Sequence, residues 1–370
     1  MFFLNSHKKA SITKYLIVKR PIILILGLVA LAVYGCDRGK TTDRASENAG
    51  GAVENVGQRL EIVRQRGKLI CGINDQLLGF SYKEPDGSYS GISVDLCRAI
   101  AAALFDDPSL VEYRHLSSEE RFRAVTSGEV DLLSRNTTWN LSRDTSGGLE
   151  FPPTNFYDGQ GILVSKDSGV KDIDDLSGRS ICVIAGTTSE SNLAEQMRSY
   201  GIGYTPLLFD DLDRLSRAYE SKQCDAFSSD ISELVARRSR LTNPQNHEVL
   251  DTVISKEPLG PVIANNEPAW FDAVKWISYA TITAEELGIS SSNIEDLADS
   301  QNLKVKRFLG TEGNIGAELG LPSDFAYRIV KHVGNYGEVY ERNIGQPFGL
   351  ERGINSLWID GGLIYAPPFR

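Results

Sequence analysis

The chain has 370 residues, of which 41% are hydrophobic and 24% are charged, a composition typical of a soluble globular protein. This length leaves room for two cores of about 100 to 200 residues each. The formal net charge is -10, from 39 lysines and arginines against 49 aspartates and glutamates. An acidic balance of this kind offers no electrostatic basis for binding nucleic acid, which we exclude as a partner.

The N-terminal segment has the order of an export signal. Basic residues precede an uncharged run, Pro21 to Gly35, which is too short to span a bilayer as a mature helix. We therefore expect residues 1–35 to be a signal peptide. The run ends in VYGC, which resembles the lipobox at which bacterial lipoproteins are cleaved and acylated, so Cys36 is the expected lipidation site. The alternative is a buried or uncleaved anchor with an ordinary cysteine.

A polar segment follows, and residues 36–59 are the predicted flexible tether. From Asp37 to Gln58 the chain has no aromatic residue and is rich in Gly, Asn, Glu, Arg and Thr. Such a composition cannot bury enough apolar surface to fold. Asp37 also resembles the signal that keeps some lipoproteins on the inner membrane. We expect a folded body outside the cytoplasm that meets the membrane only through a lipid anchor.

Four further cysteines, Cys71, Cys97, Cys182 and Cys224, are an even number in an exported chain and are expected to form disulfides, for which three pairings exist. Cys182 and Cys224 lie in two short apolar segments that would lie close together in one parallel sheet. This favours Cys182 with Cys224 and Cys71 with Cys97. Neither pair has the spacing of a zinc site and the four histidines are scattered, so no metal centre is expected.

The body consists of two sets of alternating strand and helix patterns. The first set has predicted strands at 68–74, 111–116 and 130–134 and helices at 93–105 and 117–128, with Ser93 as the expected N-cap of the first helix. The second set has predicted strands at 178–186, 204–209 and 224–230 and helices at 187–201 and 211–223. This order predicts wound, mostly parallel sheets, in which ligands bind beyond the carboxyl ends of the strands. Polar segments fall at those ends: SRNTTWNLSR, AGTTSE and SSDISE.

Several segments together resemble the family 3 periplasmic solute-binding proteins for polar amino acids. They are GISVDLCRAIA, SGEVDLLSRNTTWNLSRD, FYDGQGILV, AGTTSESNLA and CDAFSSD. The later segments ISKEPLGP, VGNYGEVYERNIG and YAPPFR resemble the branch that serves general L-amino-acid ABC transporters. The resemblance extends from Leu60 to the end of the chain.

The resemblance implies an α/β fold of the two-lobe, type II periplasmic-binding-protein class. Each lobe would be a wound, mostly parallel sheet with flanking helices, and two crossover strands near 156–164 and 253–261 would join the lobes. Lobe one would hold residues 60–160 and 257–370, including a C-terminal helical extension, and lobe two residues 161–256. A hinge would close around an L-amino acid. The implied partners are inner-membrane permease subunits with a cytoplasmic ATPase, and a periplasmic monomer without a cofactor is expected.

The resemblance also implies how the carboxylate of an amino acid is held. Arg143 would bind the carboxylate in a bidentate contact, with two parallel N–H donors, which a lysine cannot make. The backbone N–H groups of Thr138 and Thr188 would assist, the second from a helix N-terminus whose dipole favours an anion. Thr187 would add its hydroxyl.

The same resemblance implies that Asp230 and the backbone carbonyl of Asn136 bind the ammonium of the ligand. Each polar cluster also has a plainer interpretation. Asp230 is a good N-cap for a helix over 231–239. The segment NLSRD, residues 140–144, is equally able to cap and salt-bridge a surface helix.

Departures from the pattern of related proteins inform specificity. Relatives that bind cationic amino acids carry an acidic residue where this chain has Asn74, and an aromatic ring where it has Leu77 and Ser118. A cationic side chain therefore loses its partners. We expect acidic and neutral polar amino acids to be the better ligands.

Two further residues of the polar cluster have open roles. Arg135 would neutralise an acidic ligand side chain, but it has two alternatives, turning outward or pairing with Asp75. Trp139 is either a wall of the pocket or part of the core of lobe one.

An enzyme and a receptor ectodomain are the two alternative functions for such a fold. Dehydratases that act on prephenate or arogenate share the fold and need a carboxylic acid with a shifted pKa. Asp230 beside an ammonium would stay ionised, and Glu119 and Glu120 look solvated at a helix start, so we expect no enzyme. A receptor ectodomain would need a membrane span, which the charges of the C-terminal helical pattern exclude.

Overall fold

The structure of the protein is a computed structural model that describes residues 57–370. The predicted signal peptide, Cys36 and most of the tether lie outside the described residues. Among the described residues, no helix combines the length and the apolar character needed to cross a membrane. Helix α1 (Arg59–Arg66) begins at the last residue of the predicted tether, and the Arg59 backbone N–H donates to Glu267 Oε2 at 2.8 Å. The folded body therefore starts at Arg59 and not after it.

Ten of the strands that the structure describes form one continuous sheet. The strands are β1 (Leu69–Ile73), β2 (Gln76–Leu77), β3 (Ser81–Lys83), β4 (Tyr89–Ser90), β5 (Val111–His115), β6 (Leu132–Thr138), β7 (Leu149–Glu150), β8 (Phe156–Ser165), β9 (Ser180–Ile184), β10 (Thr205–Phe209), β11 (Ala226–Asp230), β12 (His247–Val249) and β13 (Ser255–Ala264). The large sheet has the order β10-β9-β11-β8-β13-β6-β1-β5, with β12 paired to β8 and β7 paired to β13. Strands β2, β3 and β4 form a small antiparallel sheet of their own.

Helices cover both groups of strands and are the main regular structure of the chain after β13. Those that follow α1 are α2 (Ile92–Phe105), α3 (Arg121–Thr126), α4 (Leu141–Ser146), α5 (Thr188–Tyr200), α6 (Leu212–Glu220), α7 (Ile231–Arg238), α8 (Pro268–Glu286), α9 (Leu303–Leu309), α10 (Ile315–Glu318), α11 (Phe325–His332), α12 (Tyr336–Tyr340) and α13 (Gln346–Phe348). A short π-helical turn, Glu341–Gly345, connects α12 to α13.

Two parallel groups of strands meet at an antiparallel pair. Strand β1 pairs in parallel with β5 and β6, and β9 pairs in parallel with β10 and β11. Strands β8 and β13 run antiparallel to each other, with Asp158 opposite Glu257. β8 also pairs with β11, and β13 with β6, so this pair joins the groups. These two strands are the crossovers that the sequence predicted, and the two-lobe α/β fold is confirmed.

Helix α2 starts differently from the prediction. Its N-cap is Gly91, at φ 124°, and Ser93 lies inside the first turn. A Cβ at Gly91 would come within 2.0 Å of the carbonyl oxygen of Phe80, so only glycine allows the helix to begin this close to the small sheet. The apolar stripe of α2 then packs on β1 and β6, as its periodicity predicted.

Both favoured cysteine pairs are at bonding distance. The Cα atoms are 6.4 Å apart for Cys71 and Cys97 and 5.8 Å apart for Cys182 and Cys224. The first pair joins β1 to α2. The second joins β9 to the residue two positions before its parallel neighbour β11, so adjacency in one sheet brings these cysteines together.

The helices after β13 pack on the β1-β5-β6 side of the sheet. Trp270 of α8 is buried and its indole N–H donates to the Asp131 carbonyl at 2.9 Å. Tyr340 of α12 stacks on Phe156 of β8, with ring centroids 6.1 Å apart. The C-terminal segment thereby supports the first crossover strand.

Candidate functional site

One cavity lies between the carboxyl ends of the two parallel groups of strands. Seven of the nine predicted ligand-binding residues line it: Asn74, Arg135, Asn136, Arg143, Thr187, Thr188 and Asp230. The parallel order explains this convergence, since parallel strands end their polar segments at the same edge.

Arg143 reaches the cavity from a short helix. Asn140, the N-cap of α4, accepts a hydrogen bond from the Arg143 backbone N–H at 3.0 Å. The Arg143 guanidinium donates to the Thr138 carbonyl at 2.8 Å and lies 5.2 Å from the ring centroid of Phe122. The plainer interpretation of this segment therefore holds for Asn140, which is a cap. It does not hold for Arg143, whose side chain turns inward.

Asp230 ends β11 with only 4% of its surface exposed. It is the N-cap residue of α7, but its side chain makes no capping hydrogen bond. Its Oδ2 accepts instead from the side-chain amide of Asn136 at 2.7 Å, across the cavity from β6. Burial raises the pKa of Asp230 well above its usual value, and the nearby carboxylates of Asp158, Glu257 and Glu233 raise it further. A cation in the cavity would relieve this repulsion.

The start of α5 contributes two threonines with different tasks. The Thr187 hydroxyl donates to the Ile184 carbonyl at 2.7 Å and accepts from the Glu190 N–H at 3.3 Å. In this structure its one proton is used within its own helix start. The Thr188 hydroxyl is 3.2 Å from that of Thr138, which links the two sides of the cavity.

Thr138 and Trp139 are the two predicted residues outside the lining. Thr138 is buried directly behind it, where its hydroxyl donates to Glu257. Trp139 is 46% exposed and stacks on Phe151, with centroids 6.5 Å apart. Trp139 therefore does not line the cavity, and its ring lies partly exposed against a buried phenylalanine.

Asn74 and Arg135 occupy the side of the cavity nearest β1. Asn74 accepts from the Gln76 backbone N–H at 2.9 Å, which shapes the loop after β1. Arg135 is 5% exposed and donates to the Leu116 carbonyl at 2.8 Å, so it does not turn outward. Asp75 is paired with His115 at 2.9 Å and not with Arg135.

Arg121 was missed by sequence reasoning. It lines the cavity from the start of α3, is 3% exposed, and its Nε has no hydrogen-bond partner among the described residues. Burial lowers its pKa well below the usual value, and the neighbouring Arg135 and Arg143 add to the effect. Helical spacing puts Arg121 on the same face as the buried residues Ala124 and Val125, but α3 is too short for this pattern to predict the direction of the side chain.

Gln76 was missed as well. Its side-chain amide donates to Asp211 Oδ2 at 2.7 Å, and its side-chain oxygen accepts from the Leu212 N–H at 3.1 Å. These bonds join β2, on one side of the cavity, to the start of α6 on the other. A glutamine in so short a strand carries no sequence signal for such a contact.

The described residues contain no cluster of histidine, cysteine, aspartate or glutamate arranged to hold a metal ion. Three guanidinium groups face a buried aspartate, which suits a small molecule that carries both a negative and a positive charge.

Comparisons with known proteins agree with this arrangement. A family model for bacterial extracellular solute-binding proteins, family 3, matches residues 69–287. The general L-amino acid-binding periplasmic protein AapJ of Rhizobium johnstonii is 46% identical over 315 residues, 84% of this chain and 92% of that protein. The glutamate/glutamine/aspartate/asparagine-binding protein BztA of Rhodobacter capsulatus is 46% identical over 314 residues, 84% of this chain and 93% of that protein.

Among solved structures, an ABC transporter periplasmic binding protein from Brucella ovis with glutathione bound has a TM-score of 0.82 and 45% sequence identity. The match covers 84% of this chain and 99% of that protein. The family model spans more than half of the chain. The three relatives match this chain over nearly their whole length. The chain belongs to the bacterial extracellular solute-binding proteins of family 3.

Proposed function

We propose that this protein is the extracytoplasmic substrate-binding component of an ABC importer for polar L-amino acids. The observation that carries the proposal is the cavity in which Arg143 and Asp230 face each other from opposite groups of strands. An amino acid has a carboxylate and an ammonium on one carbon, and this pair of residues matches both charges. The names of the relatives AapJ and BztA point to the same ligand class.

The two ends of the ligand head take different partners. Arg143 would bind the carboxylate, helped by the N-terminus of α5 at Thr188, where the helix dipole favours an anion. Asp230 would bind the ammonium, with Asn136 beside it. Because the two partners of the head belong to different lobes, the ligand would stabilise the closed form.

The other residues that line the cavity, beyond those that bind the ligand head, favour a broad range of ligands with acidic or neutral polar side chains. Arg121 and Arg135 lie beside Arg143. Burial is the main cause of the lowered pKa of both, and the charge of Arg143 lowers each pKa further, so an additional anionic or carbonyl group of the ligand would be favoured there. BztA is named for glutamate, glutamine, aspartate and asparagine. Glutathione, bound by the Brucella ovis protein, itself carries a free α-amino-acid head. A cationic side chain would meet three guanidinium groups and is disfavoured.

Delivery to the cytoplasm requires inner-membrane permease subunits and an ATPase, which we propose as the partners. We also propose a monomer in the periplasm, tethered to the inner membrane by a lipid on Cys36. Mass spectrometry of the mature N-terminus tests the anchor. A diacylglyceryl-modified Cys36 supports it, and an N-terminus at any other residue excludes it.

The enzymatic alternative rests on one observation, the raised pKa of Asp230, since a protonated carboxyl is what an acid catalyst needs. We expect binding without turnover, because a bound ammonium would keep Asp230 ionised. Incubation with prephenate or arogenate, followed by chromatography, decides between the two functions. Product formation that disappears in Asp230→Asn would establish the enzyme.

Isothermal titration of the purified protein against the twenty amino acids is the direct test of transport binding. Removing the guanidinium in Arg143→Ala should weaken every ligand at least about 100-fold, because the carboxylate loses a charged hydrogen-bonding partner in a closed site. Arg64→Ala, at an exposed arginine of α1, is the matched control. Unchanged binding in Arg143→Ala would rule out the proposed site.

A further inference from the structure

Glu257 lies in the crossover strand β13 and is 1% exposed. A carboxylate buried this deeply needs hydrogen-bond donors around both of its oxygens. The sequence offers no reason for an acidic residue here, since its neighbour on the other crossover strand is Asp158, another acid. A reason for the acidic residue must therefore be sought in the groups that surround its side chain.

The donors around Glu257 come from three parts of the molecule. Oε1 accepts from the side-chain amide of Asn192 at 2.7 Å and from the hydroxyl of Ser255, which lies on the same strand. Oε2 accepts from the Thr188 hydroxyl at 3.2 Å and from the Thr138 hydroxyl. Thr138 belongs to one group of strands, Thr188 and Asn192 to the helix on the other, and Glu257 to the strand that joins them.

Thr138 and Thr188 are also the residues that flank the carboxylate end of the proposed ligand site. Their hydroxyls are 3.2 Å apart and both lie within reach of the same oxygen of Glu257. The negative charge of Glu257 also acts on Arg143, where it opposes the lowering of the pKa caused by burial. The Glu257 carboxylate thus contacts Thr138 and Thr188, one on each side of the proposed carboxylate-binding end of the cavity. Its charge also acts on Arg143.

We propose that Glu257 is a positioning residue that couples closure of the hinge to capture of the ligand carboxylate. This inference rests on the proposed function. Holding Thr138 and Thr188 together requires the closed arrangement of the lobes, and the same contact places the N-terminus of α5 beside Arg143. Among its hydrogen-bond partners, Thr188 lines the cavity at the start of α5, where the proposed site holds the ligand carboxylate, so we expect Glu257 to act equally on all ligands.

The test compares Glu257→Gln with Lys256→Gln, an exposed position one residue earlier on the same strand. Glu257→Gln keeps the shape of the side chain, removes its charge and replaces one acceptor oxygen by an amide donor, so the four hydrogen bonds cannot all be accepted. Stopped-flow tryptophan fluorescence with glutamate, glutamine and serine gives both rate constants. We expect dissociation about 10-fold faster, by the same factor for each ligand, with association changed less than about 2-fold.

A role limited to packing predicts a different pattern. The melting temperature would fall, while the dissociation rate of each ligand stayed within about 2-fold of the wild-type value. That result, or a change that differs between glutamate and serine, would overturn the proposal. Thr138→Val supplies a second route if Glu257→Gln does not fold, because it removes one donor to Oε2 and should reproduce the faster dissociation.

A readout without ligand separates this proposal from the proposed function. Hydrogen exchange at the first turn of α5 should be faster in Glu257→Gln than in Lys256→Gln, because the contact with Thr188 is lost. Wild-type protein that binds none of the amino acids would refute the proposed function. Equal exchange in the two variants would refute the coupling role.

Discussion

Charged side chains buried close together decide what the cavity accepts. Burial lowers the pKa of Arg135 to about 10, and it is the main cause of the lower pKa of Arg121 and Arg143. On the opposite side, burial and repulsion raise the pKa of Asp230. Burial disfavours the charged form of each of these groups. A zwitterion offers a negative group to the arginines and a positive group to Asp230, so both sides of the cavity stabilise it.

Arg121→Gln should change selectivity more than overall affinity. The arginine lies among guanidinium groups, and its Nε has no partner among the described residues, so it is suited to the side-chain oxygen of an acidic ligand. We expect glutamate to bind about 10- to 100-fold more weakly and serine to change less than about 3-fold. Isothermal titration with both ligands measures this, with Arg123→Gln on the exposed face of α3 as the control. Equal losses for glutamate and serine would contradict a side-chain role.

Ligand affinity should fall as the pH is lowered. In the protein alone Asp230 has a raised pKa, and a bound ammonium favours its ionised form, so binding releases a proton when Asp230 starts protonated. Affinity is then greatest above the raised pKa and declines as the pH falls through it. Titrations between about pH 5 and about pH 8, in buffers of different ionisation enthalpy, report the proton release. Asp230→Asn should bind weakly and release no proton, and a wild type with pH-independent affinity would contradict the argument.

At the scale of the elements, loop and helix ends place the functional groups. Asn140 caps α4 and so turns Arg143 toward the Thr138 carbonyl, while Thr187 caps α5 and leaves Thr188 at the edge of the cavity. The sequence predicted a capping role for the segment that begins with Asn140, but it placed Thr187 inside its helix and not at the cap. The caps of both helices were therefore only partly visible in the sequence. The inward direction of Arg121 was not visible, because α3 is short and its other charged residue faces solvent.

The disulfides tie elements within each lobe, and their removal should lower stability without opening the cavity. Replacing Cys182 and Cys224 by serine releases two residues that are 42 positions apart, which corresponds to about 4 kcal/mol of free energy of unfolding from chain entropy. The pair Cys71 and Cys97, separated by 26 positions, corresponds to about 3.5 kcal/mol. Urea unfolding of the two double variants measures both values. An unchanged unfolding midpoint would show that the bonds do not constrain the chain.

At the scale of the whole molecule, contacts across the cavity join the lobes at several depths. Asn136 meets Asp230 inside, and Gln76 meets Asp211 and Leu212 at the rim. Further out, the Arg240 guanidinium lies 4.5 Å from the ring centroid of Tyr82. The structure therefore has the closed arrangement, in which a ligand would be enclosed.

Gln76→Ala should shift the protein toward the open form and speed up ligand release. The change removes two hydrogen bonds that join the lobes, and we expect dissociation about 5- to 30-fold faster. Stopped-flow fluorescence measures the rate, and small-angle scattering should give a larger radius of gyration than for the wild type at equal ligand concentration. Gln65→Ala, at an exposed position of α1, is the control, since the Gln65 side chain donates to Glu61 of the same helix. Identical rates in both variants would exclude a closing role for Gln76.

Local patterns in the sequence determined most of the elements and their parallel order, because apolar periodicity and chain order express these features directly. The crossover strands and most of the residues predicted for the cavity came instead from the resemblance to the family 3 proteins. Only the tertiary structure decided that Trp139 lies on the surface, that Arg121 points inward, and that Glu257 and Gln76 join the lobes. These outcomes depend on contacts between residues far apart in the chain, such as Thr138 with Glu257, and no local pattern records which side chains meet when the two lobes come together.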